Sequence, residues 1–271
     1  MTERLSDVSA RLDGIRQLGA VVNAMTGIAA SRARQAREQI TAIDSYAATI
    51  AAAMAQALSL TGKQPQPVEE ASRPALLIFS AEQGFAGAFS ERVFTLVGTD
   101  PGRDQIFLIG SRGKALALTR GIEPVWDASM PSHSPGIPKL AERILQALFV
   151  RIGDGRIDRL DAVFTDWRNA APVVARRRLF PVDLPPVAMN VTAPLTNLSG
   201  TELIEALGAG YLHAQICHVA LHAFAAENEA RMAAMAAARS HIEKELETFQ
   251  ALERRVRQEA ITAEIIELSV R

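Results

Sequence analysis

Proline is missing from both ends of this chain: all 13 prolines lie between Pro65 and Pro194. Glycine stops at Gly210, so from Tyr211 onward no residue breaks a helical hydrogen-bond ladder or loosens it. Cysteine is nearly absent too. The lone Cys217 excludes an internal disulfide framework and fits a reducing compartment. Aromatic residues make up only 5%, which disfavours a thick aromatic core and suits closely packed, alanine-rich helices. Neither sign of charge is in excess, and a net charge of −1 argues against a dedicated nucleic-acid binder, which carries a clear basic surplus. No run of about eighteen apolar residues occurs, so no membrane span is expected. The opening MTERLSDVSARLDGIR is charged and helical and lacks the apolar core of a signal peptide. Any membrane association is therefore expected to go through a partner.

What is present is a seven-residue rhythm at both ends. Met235, Ile242, Phe249, Val256, Ala263 and Val270 stand at strict heptad steps, with Leu246 and Ala260 on the same stripe. Val22, Ala29, Ala36, Ile43, Ile50 and Ala57 keep the same step near the start, with Met25, Ala33, Ile40, Ala47 and Met54 between them. Such a seam belongs to a long helix packed lengthwise on another. Small residues on it let two axes approach closely. Gly14, Gly19 and Gly27 each cost about 1 kcal/mol of helix stability against alanine, and they allow either bending or close contact. Neither segment can bury its seam alone, and each is the obvious partner of the other. The alternative is that both pack on separate helices of an ordinary bundle.

Between them lies a polar, proline-bearing linker, TGKQPQPVEEAS, and then a repeat of short apolar strands and amphipathic helices. Strands are expected over Pro74–Ser80, Gln105–Gly110, Ile122–Trp126, Leu160–Trp167 and Val173–Pro181. Helices are expected over Phe89–Val97, Arg112–Arg120 and Ile137–Ile152. This alternation implies βαβ units and a mainly parallel sheet. The fold class expected is α/β plus long helices: an antiparallel coiled coil of N- and C-terminal helices with an inserted Rossmann-like α/β domain. The boundaries are 1–60 for the first helix, 73–190 for the α/β domain and 198–271 for the last helix.

Candidate chemistry is sparse. The turn Ser80–Ala88 follows the first strand and leads into a helix, where a dinucleotide fold would hold pyrophosphate. It offers only Gly84 and Gly87, places Glu82 nearby, and matches neither GxGxxG nor a Walker A loop, so tight strand-to-helix turning is the better account. His213, Cys217, His218 and His222 fall within ten residues, and a four-residue step can put two imidazoles on one metal. Two further ligands are lacking, and partly exposed helix histidines are the simpler reading. Arg176, Arg177 and Arg178 read as a charged edge or loop, without the aromatics of an RNA-binding surface. No Ser-His-Asp order, nucleophile elbow or isolated acid pair with an obvious pocket is present, and Glu264 and Glu267, three apart on one helix face, read as a solvated or partner-facing edge. The expectation is a chain with no catalytic residue, cofactor or metal of its own.

Four stretches carry a resemblance. Arg257-Gln258-Glu259-Ala260-Ile261-Thr262-Ala263-Glu264-Ile265-Ile266-Glu267 resembles the C-terminal signature of the F-type ATP synthase gamma subunit, Ile/Val-Thr-x-Glu-x-x-Glu/Asp after Arg-Gln. Ala24-Met25-Thr26-Gly27-Ile28-Ala29-Ala30-Ser31-Arg32 is similar to that family's Ala-Met-x-x-Val-Ala-Ala marker. Ser80 with Gly84-Phe85-Ala86-Gly87-Ala88 resembles its Ser-x-Asp-Arg-Gly-Leu-Cys-Gly-Gly turn. Glu229-Ala230-Arg231-Met232-Ala233-Ala234-Met235 matches its Glu-x-x-Arg-Met-x-Ala-Met run. The four occur in family order over the whole chain.

The resemblance implies a central-stalk rotor that mechanically couples ion flow to ATP synthesis or hydrolysis at catalytic beta subunits and makes no covalent bond itself. It implies alpha and beta subunits around the upper shaft, the epsilon subunit and the c-subunit ring at the α/β domain, and no nucleic acid. It also implies a peripheral place on the cytoplasmic face of the bacterial inner membrane. By motif position, Met25, Arg32, Arg257, Gln258, Thr262, Glu264 and Glu267 would contact the alpha/beta ring. The family usually has lysines where this chain has Ala20, Asn23 and Thr26, and Asp-Arg and Cys where it has Glu82-Gln83 and Ala86. The sequence ends at Arg271 without the family's Gly-Ala tail, so a shorter upper tip is expected. These departures point to a divergent, alternative-ATPase branch. The contrasting expectation is a non-rotary coiled-coil scaffold or adaptor with an α/β module.

Overall fold

The computed structural model describes residues 5–61, 73–98, 105–168, 171–182 and 195–269. Two long helices, α1 (Leu5–Thr61) and α5 (Gly200–Ser269), enclose in sequence five strands and three shorter helices. The chain forms two compact units, one of residues 1–30 and 231–271 and the other of residues 31–230. The linker at 62–72 and Val270 lie outside the described residues.

The first unit is a pair of antiparallel helices. Its seam is Val22, Met235 and Ile242, flanked by Ile15, Met25, Ala238 and Leu246. The Arg11 guanidinium lies over the Phe249 ring, 4.8 Å from its centroid, and the Ser9 hydroxyl donates to Glu253 at 3.4 Å. Residue numbers thus rise on one helix as they fall on the other. Gly19 would bring a Cβ to 3.5 Å of the Ile242 side chain, whereas Gly14 and Gly27 face open space. Close approach accounts for at most one of these glycines, and the helix runs through all of them unbroken.

The second unit is built on a sheet in the order β3-β2-β1-β4-β5, formed by β1 (Pro74–Phe79), β2 (Gln105–Ile109), β3 (Trp126–Ala128), β4 (Arg159–Arg168) and β5 (Ala171–Phe180). β1 is central and parallel to both β2 and β4, so its side chains are buried on both faces, which is why PALLIF reads as an unbroken apolar run. Leu76 and Ile78 point to one face, into a core with Val93 and Phe94 of α2 (Phe89–Val97) and Ala117 of α3 (Ser111–Thr119). Leu77 and Phe79 point to the other, into the main core. There Ile144 and Leu148 of α4 (Ile137–Gly153), Ala36 of α1, and Ile216 and Phe224 of α5 gather. β5 returns antiparallel to β4 and forms the edge of the sheet.

Two expectations are corrected here. The third strand begins at Trp126, four residues beyond Ile122. Ile122 instead donates its N–H back to the Ala117 carbonyl and buries its side chain under α3, and Pro124 has no N–H to give a strand. The C-terminal stripe also stops being a seam. Val256 is buried, but Ala260 and Ala263 are exposed although they keep the period.

Candidate functional site

The last turns of α5 are the longest bare stretch of helix among the described residues. Beyond Val256 every described side chain from Arg257 to Ser269 is exposed, including Ile261 at 51%, Ile265 at 60%, Ile266 at 57% and Leu268 at 67%. Ile261, Ile265 and Leu268 recur at helical steps and share one side. Large apolar side chains grouped on a surface are a mark of an interaction site, since each left in water forfeits the gain from burial. The polar residues among them hold the helix rather than one another. Arg257 donates to Glu253 at 3.0 Å, and the Thr262 hydroxyl donates to the Gln258 carbonyl at 2.8 Å. Glu264 and Glu267 face solvent.

Arg257, Gln258, Thr262, Glu264 and Glu267 are thereby brought together on one exposed segment. Met25 is half-buried in the seam with Val22 and Met235. Arg32 belongs to the second unit, where its guanidinium donates to the Gln83 side chain at 3.3 Å. Sequence reasoning missed the isoleucines and Leu268 of the bare end. Their signal was present: the apolar residues there drift off the strict heptad onto a second side of the helix.

The glycine-bearing turn after β1 has filled its own anion site. The buried Glu227 of α5 accepts the backbone N–H groups of Glu82 at 3.1 Å and Gln83 at 3.0 Å, where pyrophosphate would sit in a dinucleotide fold. Glu82 in turn accepts the N–H of Ser111 at 3.0 Å and of Met130 at 2.9 Å, and so caps the start of α3. A cleft of about 370 Å³ remains beside the turn, lined by Gln83, Gly84, Phe85, Gly87 and Arg112. Two carboxylates in these positions repel phosphate.

The histidines of α5 are tied, not bare. His218 Nδ1 donates to Asp44 of α1 at 2.5 Å, His222 Nδ1 donates to Asp166 of β4 at 2.8 Å, and the two rings lie 4.4 Å apart. Burial holds His218 below the ordinary histidine range, the His222 ring adds to this, and Asp44 opposes it. Among the described residues no three ligating side chains converge as a metal site would need. Burial, reinforced by Glu142, pushes the Cys217 thiol up to about 12, so it stays protonated and is a poor nucleophile.

A family model described as ATP synthase matches residues 4–269. The ATP synthase gamma chain of Caldanaerobacter subterraneus subsp. tengcongensis is 24% identical over 97% of this chain and 97% of that one. The ATP synthase gamma chain of Parafrankia sp. is 26% identical over 99% and 96%. Among solved structures, the rotor of the Euglena gracilis mitochondrial ATP synthase shares the fold with a TM-score of 0.65, at 14% identity over 95% of this chain and 98% of that one. A chain of the central stalk/c-ring structure of the Tetrahymena thermophila mitochondrial ATP synthase gives 0.59, at 16% identity over 80% and 99%.

Proposed function

The chain belongs to the ATP synthase gamma-chain family, and from that premise we propose how its helices and sheet do their work. It is the central-stalk rotor subunit of an ATP synthase. It is not itself a catalyst, because catalysis lies in the beta subunits of such an enzyme. Its contribution is mechanical: an asymmetric shaft presents a different side to each beta subunit as it turns, and a contact that differs between conformers shifts the population among them.

The observation that carries the rest is the bare end of α5 beyond Val256. Its apolar side chains suit a seat inside a surrounding ring, since apolar contact is non-directional and survives rotation of one surface past another. Its polar residues suit contacts made and broken at particular angles, because hydrogen bonds and ion pairs demand geometry. In this reading Arg257, Gln258, Thr262, Glu264 and Glu267 meet the alpha and beta subunits, with Met25 and Arg32 as further contacts lower on the shaft. Residues 1–60 and 198–271 serve as the shaft. The α/β domain at 73–190 meets the epsilon subunit and the c-subunit ring, and the assembly couples to hydrogen-ion or other ion transport at the cytoplasmic face of a bacterial inner membrane. No helix of the described residues is long and apolar enough to cross a membrane.

The test is a complex reconstituted with alpha, beta and c subunits and carrying Arg257→Ala with Gln258→Ala. The variant is expected to keep the helix content of the parent chain and to pump fewer ions for each ATP hydrolysed. Unchanged pumping would remove these residues from the coupling path.

A further inference from the structure

β5 is an edge strand ten residues long, hydrogen-bonded to β4 along one side and to no strand along the other among the described residues. Pro172 denies it one N–H near its start, but no proline interrupts Val173 to Phe180, where alternate residues turn both donor and acceptor away from β4. Its first half is apolar and partly open, with Val173 at 42% exposure. Its second half is Arg176-Arg177-Arg178, all exposed.

The two acids of β4 that stand opposite this ribbon in register are already committed. Asp161, with only 2% of its side chain exposed, takes Arg159 at 2.7 Å and Arg176 at 2.8 Å, and Asp166 takes Arg168 at 2.5 Å. Arg177 and Arg178 have no carboxylate partner among the described residues. The edge is therefore strongly positive in a chain whose net charge is −1.

An unpaired strand this long is a template for pairing, and proteins commonly blunt such edges with charge. Here the blunting is one-sided. A second copy of β5 laid antiparallel over its full length would set Arg176, Arg177 and Arg178 against Ala175, Val174 and Val173 and leave the guanidinium groups without an anion, while an acidic strand would gain both the ladder and the ion pairs. We propose that the outer edge of β5 accepts an extended acidic segment of another polypeptide by strand addition. A strand is favoured over other polyanions because the edge offers alternating donors and acceptors, which only another backbone answers in full. The inference goes beyond the rotor reading and does not depend on it.

Hydrogen exchange on the full chain tests it, with two ten-residue peptides as probes, one alternating valine with glutamate and one alternating valine with lysine. The glutamate peptide is expected to slow exchange at Val173 to Phe180, and the lysine peptide is expected to leave it unchanged. That comparison needs no variant. Arg177→Ala with Arg178→Ala, checked for unchanged helix content, should then weaken the glutamate peptide roughly tenfold. Overturning results are no protection of β5, equal protection by both peptides, or the same protection by an oligothymidylate, which would reveal only a basic patch.

Discussion

Asp44, His218, His222 and Asp166 form a line of contacts from α1 through α5 to β4. The charges around it come from each element packed there: Asp44 on α1, Asp166 and Arg168 on β4, Arg177 on β5. His218 is held below its ordinary range first by burial and then by the neighbouring imidazole and Arg177, against the pull of Asp44. The folded chain therefore binds fewer protons at His218 than the unfolded chain just below the ordinary value of about 6.5. Its stability contribution is complete above that value and is lost as pH falls through it towards the lower folded one. The melting temperature is expected to drop between about pH 7.5 and about pH 5.5, and His218→Gln is expected to flatten that slope. Superimposable slopes would contradict the role given to His218. Asp161 carries the same sign in a more acidic window. Burial alone would raise Asp161, but hydrogen bonds from Arg159 and Arg176 outweigh it and hold it low, so its contribution is present at neutral pH and is lost only in acid.

Among the elements, some were legible in the chain and others were not, for reasons that differ. PALLIF declares a strand buried on both faces because local composition alone decides it, and Phe89–Val97 has the predicted helix bounds. The heptads at Val22, Ala36 and Met235 marked residues that are indeed buried, because period survives whatever the partner is. The place where burial ends was hidden: Ala263 keeps the period yet is exposed, because a heptad period records a stripe and not whether another helix faces it. Glu227 was hidden more deeply, since it serves backbone groups 144 and 145 residues away and nothing local distinguishes it from a solvated helix glutamate. Ala36, with no exposed surface, offers a direct check on the helix packing in the second unit. Ala36→Leu adds three carbons to a filled site and is expected to cost about 1–3 kcal/mol in urea unfolding of the full chain. A change below about 0.5 kcal/mol would mean that the small residues of the seam are not there for close approach.

For the molecule as a whole, the account requires one behaviour that no scaffold or adaptor would share. A gamma chain of this family must turn inside its ring while ATP is hydrolysed, and a coiled-coil scaffold would stay fixed whatever it bound. The motif from Arg257 to Glu267 resembles the gamma-subunit signature, and the same stretch of α5 is exposed. The deciding measurement is single-molecule observation of a bead attached through a cysteine introduced at an exposed position of the α/β domain, in a complex with alpha and beta subunits anchored to glass. Directional rotation that begins with ATP and stops when ATP is removed is the predicted result. A complex that hydrolyses ATP while the bead holds one angle, or a chain that does not assemble with alpha and beta subunits at all, would contradict it.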